Sequence, residues 1–288
     1  MKRHRLISYS ASLVILILLQ WSCTLVWDTI WTGGEKKLDP APPPTSTSGP
    51  RLIIFALDGT TPEQLLQAIR SGNAPNLAGL LGKERRQGLF EHAYAAPRAW
   101  SVLPSSTIAA WAALFTGTPP AANGVPGDEW FERETATFRA PVPVSALDTS
   151  DVSKVVSDDL IGKALKTPTL YEMVKKKTHV SLLSVHRGAT LYTSVSPGSF
   201  TDFLSYLIKG TLKGVDPEKS LAAALDFSAT QKLIEAIDSQ GVPDLQVVYY
   251  PGIDIFTHVS DDPLTRQARY LQFVTDKRIG EVLEAYRK

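Results

Sequence analysis

One hydroxyl, two carboxylates and one imidazole stand in this chain at spacings that suit a metal-activated nucleophile. The hydroxyl is Thr107, which opens Thr107-Ile108-Ala109-Ala110-Trp111 and lies nine residues before Thr116-Gly117. The carboxylates are Asp58, directly after Leu52-Ile53-Ile54-Phe55-Ala56-Leu57, and Asp254, four residues before His258. A threonine hydroxyl is a poor nucleophile near neutral pH, and coordination to a divalent cation is one way to activate it. Carboxylate oxygen and imidazole nitrogen are ligands such a cation accepts. A spacing of four puts Asp254 and His258 on one face of a helix, where they can share one ion. Each group also has a plainer reading. Asp58-Gly59 is a common turn pair, Thr107 can serve as an ordinary helix cap, and Asp254 and His258 can be a surface acid and a hydrogen-bonded histidine. Ser105 and Ser106 are alternative hydroxyls ranked below Thr107. His186 ends a strand with no carboxylate partner nearby in sequence, so it reads as structural or substrate-proximal.

These side chains need a scaffold that holds them at one edge. Leu52 to Leu57 is a continuous apolar run, as expected of a strand buried on both faces in a parallel sheet. Thr61-Pro62-Glu63 then opens a helix, with Thr61 as cap and Pro62 at the first helical position. The segment Leu103-Pro104-Ser105-Ser106 places Thr107 at the start of an Ala-rich helix, whose free N–H groups and dipole favour a phosphate. Further along, Thr167–Lys175 reads as a capped helix and His179–Val185 as a strand. Pro217–Ser239 reads as helix, Leu245–Tyr250 as strand and Thr265–Tyr286 as a long amphipathic helix. Alternating helix and strand predicts an α/β sandwich with a mostly parallel sheet, with polar residues at the carboxyl ends of the strands. Periodicity fades over 127–162 and 194–226, which read as irregular insertions near the site mouth.

Together and in this order, the three chemical segments resemble the type I phosphodiesterase/nucleotide pyrophosphatase family of the alkaline phosphatase superfamily. Asp58-Gly59 is similar to that family's first strand end, and Thr107 with Thr116-Gly117 and Pro119-Pro120 to its nucleophile segment. Asp254 and His258 are similar to its Asp and His four apart. Ala74-Pro75-Asn76-Leu77 and Pro168-Thr169-Leu170-Tyr171 add smaller likenesses. The resemblance implies an alkaline-phosphatase-like sandwich and two divalent cations, commonly zinc. Asp58 and Thr107 would hold one cation, Asp254 and His258 the other. It also implies attack of the Thr107 hydroxyl on phosphorus and hydrolysis of the resulting phospho-enzyme. Asn123 stands where the family often has the His of a His-Gly pair, and the absence of a Cys-x-Pro-x-Arg segment argues against a sulfatase. Such enzymes carry their remaining metal ligands beyond the point matched by Lys288. The expectation is therefore a C-terminally incomplete catalytic domain, inactive as it stands. Two other functions fit the same residues: transfer of a phospho-headgroup within the cell envelope, and a non-catalytic envelope binding domain.

The 288 residues are 43% hydrophobic, enough for one large core. Lys and Arg (30) nearly balance Asp and Glu (29), so charge predicts no nucleic-acid polymer as partner and leaves a phosphate-ester small molecule or envelope substrate. Met1-Lys2-Arg3-His4-Arg5, followed by apolar Leu13–Leu19, reads as an export signal or membrane anchor over 1–27. Cys23, the single cysteine, follows the apolar run as in a lipoprotein signal, and a lone cysteine leaves no intramolecular disulfide. Residues 28–50, rich in Pro, Ser and Thr, read as an extended tether, with the catalytic domain over 51–288. The expected location is the bacterial periplasm or envelope, attached to the membrane through the N-terminus.

Overall fold

A computed structural model describes residues 51–96, 99–142, 151, 154–155, 158–181, 185–193, 216–258 and 262–288. The signal or anchor, Cys23, the tether, and parts of both irregular stretches (143–150 and 194–215 among them) lie outside the described residues.

The central sheet has four parallel strands: β1 (Leu52–Leu57), β6 (Lys177–Ser181), β7 (Thr190–Thr193) and β8 (Leu245–Tyr250), in the spatial order β1-β8-β6-β7. The sequence expectation of an α/β sandwich on a parallel sheet therefore holds. Strand β8 shows why its sequence carries no charge and is apolar at every position but Gln246. All six of its residues are buried, with Leu245, Val247 and Tyr249 facing one layer and Val248 and Tyr250 the other. Successive side chains of a strand point to opposite faces, so a central strand covered on both sides has no position for a charge.

The first layer is built on α3 (Thr107–Thr116), whose Ile108, Ala112 and Phe115 pack with Val247, Tyr249 and Tyr171. The opposite layer joins α1 (Pro62–Arg70), α2 (Pro75–Leu81) and α6 (Leu221–Gln240) with α9 (Asp276–Arg287). Two antiparallel pairs lie outside the sheet: β2 (Glu84–Arg86) with β3 (Leu89–Phe90), and β4 (Trp130–Glu132) with β5 (Thr137–Arg139). Two short helices, α4 (Pro120–Asn123) and α5 (Leu160–Ala164), complete the first layer. After β8 the chain forms α7 (Gly252–His258) and α8 (Pro263–Tyr270), then a π-helical turn at Leu271–Thr275 that runs into α9.

Five local expectations are corrected. Thr167–Lys175 contains only a 3-10 turn, Leu170–Met173, because Val174 is already extended. That turn is held by the Glu172 carboxylate, which accepts from the backbone N–H of Thr169 at 2.6 Å. Strand β6 begins at Lys177, two residues before the expected start. The helix expected over Thr265–Tyr286 starts at Pro263, where Asp262 accepts from the Thr265 N–H, and is interrupted by the π turn. Strand β1, read as buried on both faces, lies at the sheet edge with only Ala56 buried, and the helix read from Pro217 begins as a 3-10 turn and turns α at Leu221. The start of α1 is as expected: Thr61 caps it by accepting from the Gln64 N–H, with Pro62 at the first position.

Helix α2 solves its N-terminus in a way the sequence hides. Its N-cap residue Ala74 has no side chain to accept hydrogen bonds. The buried carboxylate of Asp276 substitutes, accepting from the backbone N–H groups of Asn76 (3.1 Å) and Leu77 (2.9 Å) and from the Asn76 side chain (2.9 Å).

Candidate active site

Parallel pairing in the register Leu57↔Tyr250 puts the carboxyl ends of β1 and β8 side by side. Asp58 leaves the first strand and α7 leaves the second. The backbone of Gly59 then turns with φ +65° directly against Asp254. Only a residue without Cβ approaches another backbone so closely, and only glycine adopts that φ without strain. Thus Asp58, read from sequence as either a turn former or a ligand, both initiates a tight turn and lies beside Asp254. Its Oδ1 accepts from the Gly59 N–H at 3.0 Å, and its Oδ2 accepts from the Tyr249 hydroxyl.

Asp254 and His258 lie one turn apart on α7, as their spacing predicted. The His258 Nε2 is 3.4 Å from the Asp254 Oδ2, with the imidazole exposed and the carboxylate half-buried. Helix α7 is anchored from below by Asp226, fully buried on α6, which accepts from the Gly252 N–H at 3.0 Å and the Tyr270 hydroxyl at 3.0 Å. Burial pushes the Asp254 carboxyl up to about 6, and the charge of Asp58 pushes the same way against the pull of His258.

Thr107 is the first residue of α3, with Ser106 as the N-cap residue making no side-chain capping bond. The N-terminus is capped instead by Asp128, whose Oδ1 accepts from the Ile108 N–H at 2.7 Å. Thr107 is thus not the capping residue, and its hydroxyl is not required for that role. Trp111, one turn further along α3, packs edge-on against Tyr249 with ring centroids 5.6 Å apart. That contact ties the helix carrying Thr107 to the strand whose Tyr249 holds Asp58. At its other end, α3 stops at Gly117 with φ +67°, as the Thr116-Gly117 pair requires.

Asp128 is the residue that the sequence reading missed. It sits at the start of the stretch read as an irregular insertion, and its link to α3 spans twenty residues. Burial raises its carboxyl above the ordinary value; the Ile108 N–H pulls it back, and the charge of Asp58 adds to the rise. The only local signal was a carboxylate beside a glycine in a stretch with no apolar periodicity.

Asn123 and His186, also singled out from sequence, lie away from these carboxylates in the contacts they make. Asn123 is buried, donating to the Thr118 carbonyl at 2.9 Å and accepting from the Val125 N–H at 2.9 Å. His186 is buried, its Nε2 3.4 Å from the Val155 carbonyl oxygen and 3.7 Å from the Asp159 Oδ1.

The charges of Asp58 and Asp128 bear on Asp254, and that of Asp58 on Asp128, and among the described residues none of the three is paired with a lysine or arginine. Oxygen donors, one imidazole and an uncompensated negative charge match what a divalent cation needs. Among the described residues, no three His, Cys, Asp or Glu side chains converge on one point as a complete metal-binding group. The donors present fit such an ion in chemistry and charge and supply part of a coordination shell.

The sequence profile of the type I phosphodiesterase/nucleotide pyrophosphatase family matches residues 52–288, the whole of the described fold but its first residue. The chain belongs to this family. The fold of this phosphodiesterase-family chain is similar to that of phosphonoacetate hydrolase from Sinorhizobium meliloti 1021 in complex with phosphonoformate, at 21% identity and a TM-score of 0.50. That alignment covers 82% of this chain and 54% of the hydrolase. It is also similar to an inactive form of murine ectonucleotide pyrophosphatase/phosphodiesterase 5 in complex with AMP. There the identity is 11%, the TM-score 0.51 and the coverage 83% of this chain and 53% of the other. The family member described here thus spans about half the length of these solved structures. No curated protein sequence matches it. At these identities the likeness establishes the alkaline-phosphatase-like fold.

Proposed function

We propose that this protein is a metal-dependent phosphoric ester hydrolase acting on phosphodiesters or phosphomonoesters, with Thr107 as nucleophile. The observation that carries the reading is the meeting of Asp58 and Asp254 at the adjoining ends of β1 and β8, with Gly59 packed on the Asp254 backbone. An α/β sheet uses this edge for chemistry, and here it gathers the carboxylates of Asp58 and Asp254 with, among the described residues, no lysine or arginine paired to either.

In this reading Asp58 and Thr107 would hold one divalent cation, and Asp254 and His258 a second, with zinc as the proposed metal. Such cations, when bound, lower the proton affinity of the hydroxyl and stabilise the attacking and leaving oxygens of an in-line displacement. Thr107 contributes the nucleophilic oxygen. Its Oγ forms a bond to phosphorus as the bond to the ester oxygen breaks, and the hydroxyl proton is lost to solvent. Water then cleaves the phosphothreonine and restores the hydroxyl. Tyr249 orients Asp58 through its hydrogen bond, and Asp226 holds the start of α7 so that Asp254 and His258 keep one face toward the site. Export and attachment through the N-terminal segment belong to the same proposal, resting on the charge and apolar pattern of residues 1–27. Among the described residues, no helix is long and apolar enough to cross a membrane.

The test is covalent trapping. The full chain is incubated with zinc and bis(p-nitrophenyl) phosphate, quenched in acid and mapped by mass spectrometry. A phosphoryl adduct on Thr107, absent from Thr107→Ala, is the expected result. Ester binding with no adduct at Thr107, or with an adduct on Ser105 or Ser106 instead, rejects Thr107 as the nucleophile.

A further inference from the structure

We infer that the cavity between the start of α6 and the π turn leading into α9 is a binding site for a small aromatic carboxylate. Arg278 receives the carboxylate, and Phe227 and Phe273 receive the ring. None of the residues lining this cavity is among those assigned to the sheet edge, and the inference does not rest on the phosphoryl reading above.

The cavity holds about 370 Å³, with Ser220, Ala224 and Phe227 on one wall and Phe273, Lys277 and Arg278 on the other. That volume lies at the lower end of the range small-ligand pockets occupy. The short side chain of Ala224 leaves room, while Phe227 and Phe273 are 49% and 40% exposed, so two large apolar rings meet solvent in one place. Each ring has a cation over it. The Arg278 guanidinium lies 5.1 Å from the Phe227 centroid, and that of Arg269 6.0 Å from the Phe273 centroid. Turns of π-helix occur mostly at functional sites, and the one at Leu271–Thr275 carries Phe273 and Val274 into the wall.

Arg278 is the polar group whose bonding the protein leaves unfinished. It is 9% exposed and lines the cavity, yet among the described residues its Nε and Nη1 donate no hydrogen bond. The Glu281 Oε2 stands 2.8 Å from Nη1, near enough to offset charge but in a geometry that makes no hydrogen bond. A buried donor without an acceptor costs free energy, and a carboxylate is the acceptor whose shape matches a guanidinium. The ion pairs around the cavity leave charge for one such group. Lys219 and Arg269 share Asp216, Lys277 lies 3.8 Å from Glu218, and Arg278 has Glu281, so four cations stand against three carboxylates. Asp226 lies near Arg278 in the core, its carboxyl pushed up to about 7 by burial, and is mostly uncharged in mild acid. A bare inorganic anion would answer the charge and leave both rings in water. An aromatic body covers them, and burying apolar area is favourable in proportion to that area.

The experiment is calorimetric titration of the full chain with naphthalene-1-carboxylate, in mild acid and with a chelator present, so that no cation at Asp254 and His258 holds the probe. Saturable binding at one site is expected. Naphthalene-1-carboxamide, which keeps the ring without the charge, should bind about tenfold more weakly, and Arg278→Gln should weaken the carboxylate by about the same factor. Ala224→Trp fills the cavity from an exposed helix position and leaves Arg278 in place, so it should abolish binding. Thermal melts show which variants keep the fold, and Ala224→Trp decides the matter if Arg278→Gln does not. Absence of saturable binding by the wild type overturns the inference. Unchanged binding in Ala224→Trp also overturns it, by placing the probe elsewhere, and equal affinity for the carboxamide overturns the assignment to a carboxylate. Each of these results leaves hydrolysis at the sheet edge untouched.

Discussion

A methyl group on Gly59 would stand 2.7 Å from the Cα of Asp254, nearer than any real side chain approaches a backbone carbon. Residues almost two hundred positions apart thereby form one turn of the candidate site. Gly59→Ala should cost about 1–3 kcal/mol from the left-handed backbone alone, with displacement of Asp254 in addition. Urea unfolding should show a lower midpoint at unchanged slope. An unchanged midpoint would mean that the two backbones are free to separate.

Tyr249 donates to Asp58 from a fully buried position next to Trp111. Burial and the Asp58 charge both push its hydroxyl above the ordinary tyrosine range, so it stays a donor at any physiological pH. Tyr249→Phe should lower stability by about 1–2 kcal/mol and change the Trp111 environment. Denaturant titration followed by tryptophan emission reads both. Wild-type stability in this variant would remove the bond from the account of how Asp58 is held.

Asp276 caps α2 through three donors on Asn76 and Leu77 while itself buried. Asp276→Ala leaves those donors without their acceptor and should cost about 2–4 kcal/mol. Asp276→Asn should restore part of this, since its carbonyl oxygen can still accept. The comparison is a pair of chemical denaturation curves, and equal stability of the two variants would contradict capping by the carboxylate.

Burial pushes the Asp226 carboxyl from 3.8 up to about 7, against the opposing pull of Tyr270, the Gly252 N–H and Arg278. The folded state therefore retains a proton that the unfolded chain loses above about pH 4. Stability should fall as pH rises from about 4 to about 7 and show no further dependence on this group above that range. Asp226→Asn, which keeps an acceptor for the Gly252 N–H, should flatten the profile over that window by an amount on the order of 2–4 kcal/mol. Parallel profiles for the two proteins would show that Asp226 is ionised in the fold throughout.

Zinc should raise the melting temperature with the logarithm of its concentration above the dissociation constant, by the equivalent of about 2.7 kcal/mol at a hundredfold excess. Asp254→Asn and His258→Ala should each weaken that response. Thermal melts across a zinc series, repeated after chelation, measure it. A full response in Asp254→Asn would exclude Asp254 as a ligand.

Much of this architecture is written in short stretches of chain. The uncharged, mostly apolar run Leu245–Tyr250 dictates a strand covered on both faces, Thr61-Pro62 starts α1, and Thr116-Gly117 ends α3. The spacing of Asp254 and His258 is likewise enough to set them on one face of α7. These features follow from backbone sterics, capping and side-chain period, which act over a few residues and leave a mark in the local sequence. Other features were decided by the tertiary structure: β1 beside β8, Gly59 on Asp254, Asp128 on the start of α3 and Asp276 on the start of α2. Each joins groups between 20 and about 200 residues apart, and a carboxylate that caps a distant helix looks in sequence like any exposed acid. Pairing of that kind is selected by the packing of the whole sheet and its two helical layers, because only the assembled core brings those backbones into reach.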